Sequence, residues 1–285
     1  MKNYLLITLS FFFISCGGGG SSSSAPSKYT PILNPNAKPI TSGTWYKPSI
    51  NTSWQWQLKG PINTSYSSDV YIIDLFDSST TLINSLKSNG KKVICYFSAG
   101  TYENWRSDKS DFSLELIGNS LASYPNEKWL DISNEKITSI MTKRLDLALS
   151  KGCDGVEPDN MDNFTQNTGF SLSSDNQLAY NKFIANESRK RGLSVALKND
   201  LTQASELEPY FDFAINEQCH ENNECNYLSV FTSANKPIFN AEYKLEYQNN
   251  IANARDSMCS DAINNSIKTL VLSVDLDDSY RFSCQ

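Results

Sequence analysis

The chain has 285 residues, a formal net charge of −6, and five Trp and fourteen Tyr among its aromatic residues. That acidic balance argues against nucleic acid as a partner and favours neutral or cationic ones. A single histidine, and six cysteines besides Cys16 with no CxxC spacing, speak against a histidine-rich or cysteine-based metal centre.

In chain order, Met1-Lys2 precedes an apolar run from Tyr4 to Ile14, too short to span a membrane. The run ends in "FISC" at Cys16, followed by "GGGGSSSS". This resembles a bacterial lipoprotein signal, although Phe13 stands where Leu is usual; a cleaved signal near Ser15 without lipid is the alternative. Residues 1–16 are therefore expected to be a leader ending at a lipidated Cys16, on an exported, membrane-anchored protein. Residues 17–40, rich in Gly, Ser and Pro, read as a flexible linker, with ordered structure from Thr41.

The remaining stretch of about 245 residues suits one domain. Strand-forming runs occur at 54–58, 70–76, 92–98, 153–158, 193–199, 213–218, 237–243 and 269–275. Helical periodicity lies between them at 78–90, 134–152 and 173–192, each segment stopping at a glycine. Ile137, Ile140, Met141, Leu145 and Leu149 are expected on one buried face of the second helix. Eight strands alternating with helices indicate an α/β fold, a (β/α)8 barrel. "WLDIS" at 129–133 is a further strand candidate within the third connection. Cys219 and Cys225 are close enough to bridge, and Cys259 is expected to tie down the tail at Cys284; Cys95 and Cys153 are either paired or buried thiols.

In such a barrel the chemistry sits at the C-terminal strand ends. The segment "KGCDGVEPDNMDNF" packs Asp154, Glu157, Asp159 and Asp162 into nine residues. Other strand ends supply Asp74, Lys198, Asp200, Glu217, Glu242, Asp275 and Asp277. So many like charges need a cation, hydrogen bonds or a chemical role. His220, read as a surface loop residue, leaves no material for a histidine-based nucleophilic site, since no GxSxG elbow is present. Carboxylate chemistry remains, and glycoside cleavage needs only an acid and a nucleophile or base.

Taken together, "WQWQL", "VYIIDLF", "VICYFSAGTYENWR", "DGVEPDNMD", "LKND" and "NEQC" resemble glycoside hydrolase family 114 over roughly residues 43–280. The resemblance implies a (β/α)8 fold, export, and endo-acting cleavage of α-1,4-linked galactosamine polymers without a cofactor. It implies catalytic acids in the "DGVxPDN" and "NEQC" segments: here Asp159 as nucleophile and Glu217 as general acid/base in a retaining mechanism, with Glu157 as the rival to Asp159. A polymer of free amines is cationic, so Asp74, Asp162, Asp200 and Glu242 are expected to pair its ammonium groups. Trp56, Tyr96, Trp105 and Tyr243 are expected to stack on sugar rings, and Lys198 to bond a hydroxyl or orient a carboxylate. The protein is expected to act as a monomer and to bind no nucleic acid. A non-catalytic carbohydrate-binding lipoprotein and a metal-dependent hydrolase using the acidic cluster are the competing readings.

Overall fold

Alternation along the strands decides this architecture. In each strand one set of side chains turns inward to a narrow core and the other outward to the helices. The computed structural model describes residues 32–285; the expected leader, Cys16 and the Gly/Ser tether lie outside the described residues. The strands are β1 (Trp54–Trp56), β2 (Val70–Asp74), β3 (Lys92–Ser98), β4 (Gly155–Asp159), β5 (Ser194–Lys198), β6 (Phe213–Glu217), β7 (Ile238–Glu242) and β8 (Ile267–Leu272). Each pairs in parallel with the next, as the eight-stranded barrel requires. Arg281–Ser283 adds an antiparallel edge to β8. The first and eighth strands are joined through the Trp54 indole, which donates to Lys268 O at 2.8 Å, and the Leu58 N–H, which donates to Leu276 O at 2.9 Å.

The inner core holds Trp54, Ile72, Ile94, Ala196, Ile215, Phe239 and Leu270, with Trp54 stacked on Phe239 at 5.0 Å between ring centroids. The outer core packs Tyr71, Ile73, Val93, Val156 and Leu197 against the helices. Burial on both faces is why these strands read as continuous apolar runs. Each fully buried Ile or Leu is worth about 1.5–3 kcal/mol.

Helix α1 (Thr80–Ser88) starts at Ser79, whose hydroxyl accepts from the Leu82 N–H. Helix α2 (Lys136–Lys151) ends at Gly152 in the left-handed region, φ 86°, where a side chain would be strained. Helix α3 (Ser174–Lys190) opens with a capping box between Ser173 and Asn176. The buried stripe of α2 runs through Ile137, Met141, Arg144, Leu145 and Ala148, and Leu149 is 49% exposed, contrary to expectation. It lies about 100° round the helix from Ala148 and about 40° beyond Leu145, past the edge of the stripe.

The connection from β3 to α2 carries a small antiparallel sheet of Thr101–Glu103, Ile117–Ser120 and Glu127–Leu130. Its last strand covers the start of "WLDIS" but begins two residues earlier. Residues 32–40, at the end of the expected linker, are tied to α3. Lys182 Nζ donates to Pro35 O at 2.6 Å, Arg189 donates to Ile40 O at 2.8 Å, and Asn186 bonds both Lys38 O and the Ile40 N–H.

All three cysteine pairs are bridged: Cys95–Cys153, Cys219–Cys225 and Cys259–Cys284, with sequence separations of 58, 6 and 25. The first joins β3 to the residue run entering β4. Loop-closure entropy makes its loss the most costly, about 4 kcal/mol, against about 2 kcal/mol for the shortest loop. Denaturant unfolding of the three paired Cys→Ala variants should therefore rank Cys95/Cys153 as least stable and Cys219/Cys225 as nearest the parent. The reverse order would show that strain or packing, rather than chain constraint, sets these contributions.

Candidate active site

Strand parity sorts the sequence candidates. Asp74, Tyr96, Glu157, Asp159, Lys198, Glu217 and Tyr243 share the inward register with the inner-core residues of their strands. Glu242 shares the outward register with Ile238, fully buried, where its Oε1 accepts from the His220 N–H at 2.8 Å and from Asn240 Nδ2 at 3.0 Å. It is a structural anchor for the loop after β6, away from the mouth, and not the ammonium partner expected. Parity of two along a strand is the reason.

At the centre lies Lys198, 1% exposed. Its Nζ sits 2.9 Å from Asp159 Oδ1, 3.1 Å from Glu217 Oε2 and 3.6 Å from Glu157 Oε1. Burial works against its charge, but Asp159, Glu217 and Glu157 together outweigh that and hold its pKa well above the usual value. The Trp56 ring lies beneath, 4.8 Å from the ammonium. Tyr96 OH donates to Asp159 Oδ2 at 3.1 Å, and Tyr243 OH donates to Glu217 Oε1 at 2.5 Å. The two tyrosines expected to stack on sugars thus use their hydroxyls to hold carboxylates. Trp56, 2% exposed, forms the floor.

Glu157 and Asp159 share a face but not a depth. Asp159 is 18% exposed and borders the open cleft, whereas Glu157 is fully buried and neither of its oxygens has a hydrogen bond. Burial pushes the Glu157 pKa well above the carboxylate range, Lys198 opposing and Asp159 and Glu217 adding to the rise. It is a buried acid beneath the site whose charged form is disfavoured.

The backbone is built to deliver these groups. The residue following each functional strand end, Asn160, Asn199 and Gln218, has a positive φ of 58°, 52° and 63° respectively. The chain thus turns away at once, leaving Asp159, Lys198 and Glu217 at the rim; Asn tolerates this region better than most residues. Gly100 lies so near that a Cβ there would fall 1.7 Å from Asn160 O. Its own N–H and that of Ala99 donate to Asp159 O at 3.1 and 2.9 Å.

The cleft above Lys198 has a volume of about 360 Å³. The small sheet and its loops supply one wall, with Glu103, Trp105, Arg106, Tyr124 and Glu127. Asp74 borders it, but Arg106 binds both its oxygens, at 3.0 and 2.7 Å, and also pairs with Glu103 at 2.8 Å. This pair withdraws Asp74 from the ammonium-binding role expected of it. Trp105, half exposed, remains available for stacking. Glu127 accepts from Thr101 Oγ1 at 3.0 Å, and burial, with Glu103 nearby, raises its pKa to about 7. Glu103 and Arg106 fall within "VICYFSAGTYENWR", where their three-residue spacing is a legible signal; Glu127 carries none.

Asp162 and Asp200 lie elsewhere, in a second cleft of about 390 Å³ that shares Asn199 and Glu217 with the first. Asp200 is 3% exposed, and burial, then Asp162, raises its pKa to about 8. His220 is not a surface residue: its side chain is 6% exposed, with Nδ1 3.3 Å from Asp261 Oδ2. Cys219, His220 and Cys225 come within metal-ligand reach of one another, but both sulfurs are joined in the disulfide.

The sequence profile of glycoside-hydrolase family GH114 matches residues 35–285. Among solved structures, that of Aspergillus fumigatus Ega3 in complex with galactosamine is 35% identical, with a TM-score of 0.80 over 85% of this chain and 99% of that one. The glycoside hydrolase domain of PelA from Pseudomonas aeruginosa shares the fold at 14% identity, with a TM-score of 0.62 over 79% of this chain and 96% of that one. No curated protein sequence matches this chain.

The carboxyl of Asp200 has a pH consequence. Its folded pKa near 8 lies above the ordinary value of 3.8, so between these values the native state keeps a proton that the unfolded chain has released. Stability is then greatest at the acid end of that window and falls as pH rises toward 8. Thermal unfolding between about pH 5 and pH 8 should show this decline, and Asp200→Asn should flatten it. An unchanged slope in the variant would assign the proton to another group.

Proposed function

The chain belongs to glycoside-hydrolase family GH114, and we propose that it is an exported, endo-acting hydrolase of α-1,4-linked galactosamine polymers, working by a retaining mechanism on Asp159 and Glu217. The observation that carries this reading is the shared ammonium. Two carboxylate oxygens held at 2.9 and 3.1 Å by one nitrogen lie at most about 6 Å apart. Retaining glycosidases hold their carboxyls about 5–5.5 Å apart, and inverting ones about 6.5–9.5 Å to admit water. The acidic wall of the cleft, with Glu103, Glu127, Asp159 and Glu217, favours a cationic amino-sugar chain. Ega3, solved with galactosamine, supports that substrate class.

In the first step Asp159 attacks the anomeric carbon, and the bond to the leaving oxygen breaks as Glu217 donates its proton there. A covalent glycosyl–Asp159 ester results. In the second step Glu217 takes a proton from water, whose oxygen attacks the anomeric carbon and releases Asp159. Lys198 and Tyr96 hold the nucleophile, Lys198 and Tyr243 hold the acid, and Glu157 packs its carboxyl 3.6 Å from the same ammonium, deeper in the barrel. Each reacting group is thereby oriented before substrate arrives. The enzyme acts as a monomer, anchored to the membrane through lipid on Cys16.

Asp159→Asn and Glu217→Gln preserve shape and remove the charge or the proton. Each should lower turnover on de-N-acetylated galactosamine polymer by at least about a thousandfold, as read by mass spectrometry of products, with polymer binding kept. Activity should survive a chelator. Normal cleavage by both variants would overturn the two-carboxylate mechanism, and loss with chelator would favour the metal-dependent alternative. Anchoring is tested separately: Cys16→Ser should move the protein from the membrane fraction to the soluble one, and persistent membrane association of that variant would reject lipidation at this residue.

A further inference from the structure

Asp159 is held by Lys198 and Tyr96, and a third donor comes from the next residue. The Asn160 N–H donates to Asp159 Oδ1 at 2.7 Å. Asn160 does so at a φ of 58°, in the left-handed region. A residue other than glycine keeps such a conformation only where its surroundings hold it there.

The anchor is the Asn160 side chain. Its Nδ2 donates to Ser98 Oγ at 3.0 Å, and the Thr101 N–H donates to the same oxygen at 3.1 Å. With two donors facing it, Ser98 Oγ sends its own hydrogen to the Thr101 hydroxyl, 2.5 Å away. Thr101 Oγ1 in turn donates to Glu127 Oε2 at 3.0 Å. The chain therefore has one direction, from Asn160 through Ser98 and Thr101 to Glu127. It ends on a carboxyl, which accepts most strongly when charged. Ser98 and Thr101 are fully buried and neither borders the cleft, so a sugar there does not touch them.

We infer that Glu127 is a positioning residue for the nucleophile: through Thr101, Ser98 and Asn160 its carboxylate fixes the turn that delivers Asp159. The inference rests on the proposed function, in which Asp159 attacks, and gives the small sheet a part in the reaction. Glu127 is faced by Glu103, opposite it in that sheet, by Arg106 and Tyr124 on the neighbouring loops, by Tyr96 on β3 and by Asp159 on β4. Burial, then Glu103, with Asp159 adding and Thr101 and Arg106 opposing, brings its pKa to about 7. Below that pH Glu127 is neutral, its hold on the Thr101 hydroxyl weakens, and Asn160 is less firmly oriented.

The test measures kcat and KM on de-N-acetylated galactosamine oligosaccharides for the full chain and for Thr101→Val, Thr101→Ser and Glu127→Gln. Valine keeps the shape of threonine and cuts the chain, whereas serine keeps the hydroxyl. Thr101→Val and Glu127→Gln should each lower kcat at least about tenfold with KM within about twofold of the parent, and Thr101→Ser should recover most of that loss. The pH profile of kcat/KM, which reports the free enzyme, should rise through about pH 7 in the parent and lose that limb in Thr101→Val and Glu127→Gln alike. Loss of the limb in Glu127→Gln alone, or a rise in KM with kcat unchanged, would show Glu127 acting on the substrate directly and overturn the positioning role. Glu127 is only partly buried, so the split between kcat and KM in Glu127→Gln keeps the test decisive if Thr101→Val proves unstable. A parent that cleaves no galactosamine oligosaccharide, or an Asp159→Asn variant that cleaves normally, would instead overturn the functional reading on which the inference stands.

Discussion

One buried ammonium organises the mouth of this barrel. Lys198 is desolvated inside a ring of parallel strands, and an isolated charge there would be severely penalised. It is tolerated because three carboxyl groups from β4 and β6, the strands on either side of its own, converge on it. The dependence is mutual, since without the lysine those carboxylates would repel one another in a low-dielectric setting. The spacing of Asp159 and Glu217 is therefore a by-product of the contact that makes their burial possible. Tyr96 and Tyr243 complete the arrangement by occupying the outer oxygens, so neither carboxylate is free to rotate away.

The surrounding elements keep that cluster in place. The Trp54–Phe239 stack and the aliphatic inner core close the barrel beneath Lys198. Arg144, buried on α2, donates to Ser98 O at the end of β3 and clamps Asp108 at 2.7 and 3.0 Å, fixing the start of the long insertion. Arg106 then secures Asp74 and Glu103 in that insertion. Side chains such as Arg106 and Arg144, which bear no resemblance to catalysts, thus hold one wall of the cleft. Bidentate guanidinium pairs suit this task because their geometry is directional.

Function here is stored as destabilisation. Glu127, Glu157 and Asp200 all hold protons more tightly than free carboxylates do, because burial disfavours their charge. A chain selected for stability alone would replace them with apolar groups. Their retention near two connected clefts fits a surface that meets a positively charged polymer, where an incoming ammonium favours the charged form of each and helps it to release its proton.

Much of this was legible in the residues themselves. Apolar runs of the right length, separated by capped helices with terminal glycines, specified eight parallel strands and their order, because period and turn chemistry are local properties. The crowding of acids after "KGCDGV", together with the near absence of histidine, pointed to carboxylate chemistry, and the six motifs pointed to the family. Depth and direction were not legible. Glu157 and Asp159 look equivalent in sequence, and only the barrel's curvature buries one and exposes the other. Glu242 and Tyr243 are adjacent, and the parity of β7 sends the first outward and the second to Glu217. Asp74 looked like a free acid until Arg106, thirty-two residues on, folded back to claim it. Local sequence determined which chemical groups reach the rim of the barrel; which of them remain unpaired there was decided by contacts between distant segments, since a charge is neutralised by its neighbours in space.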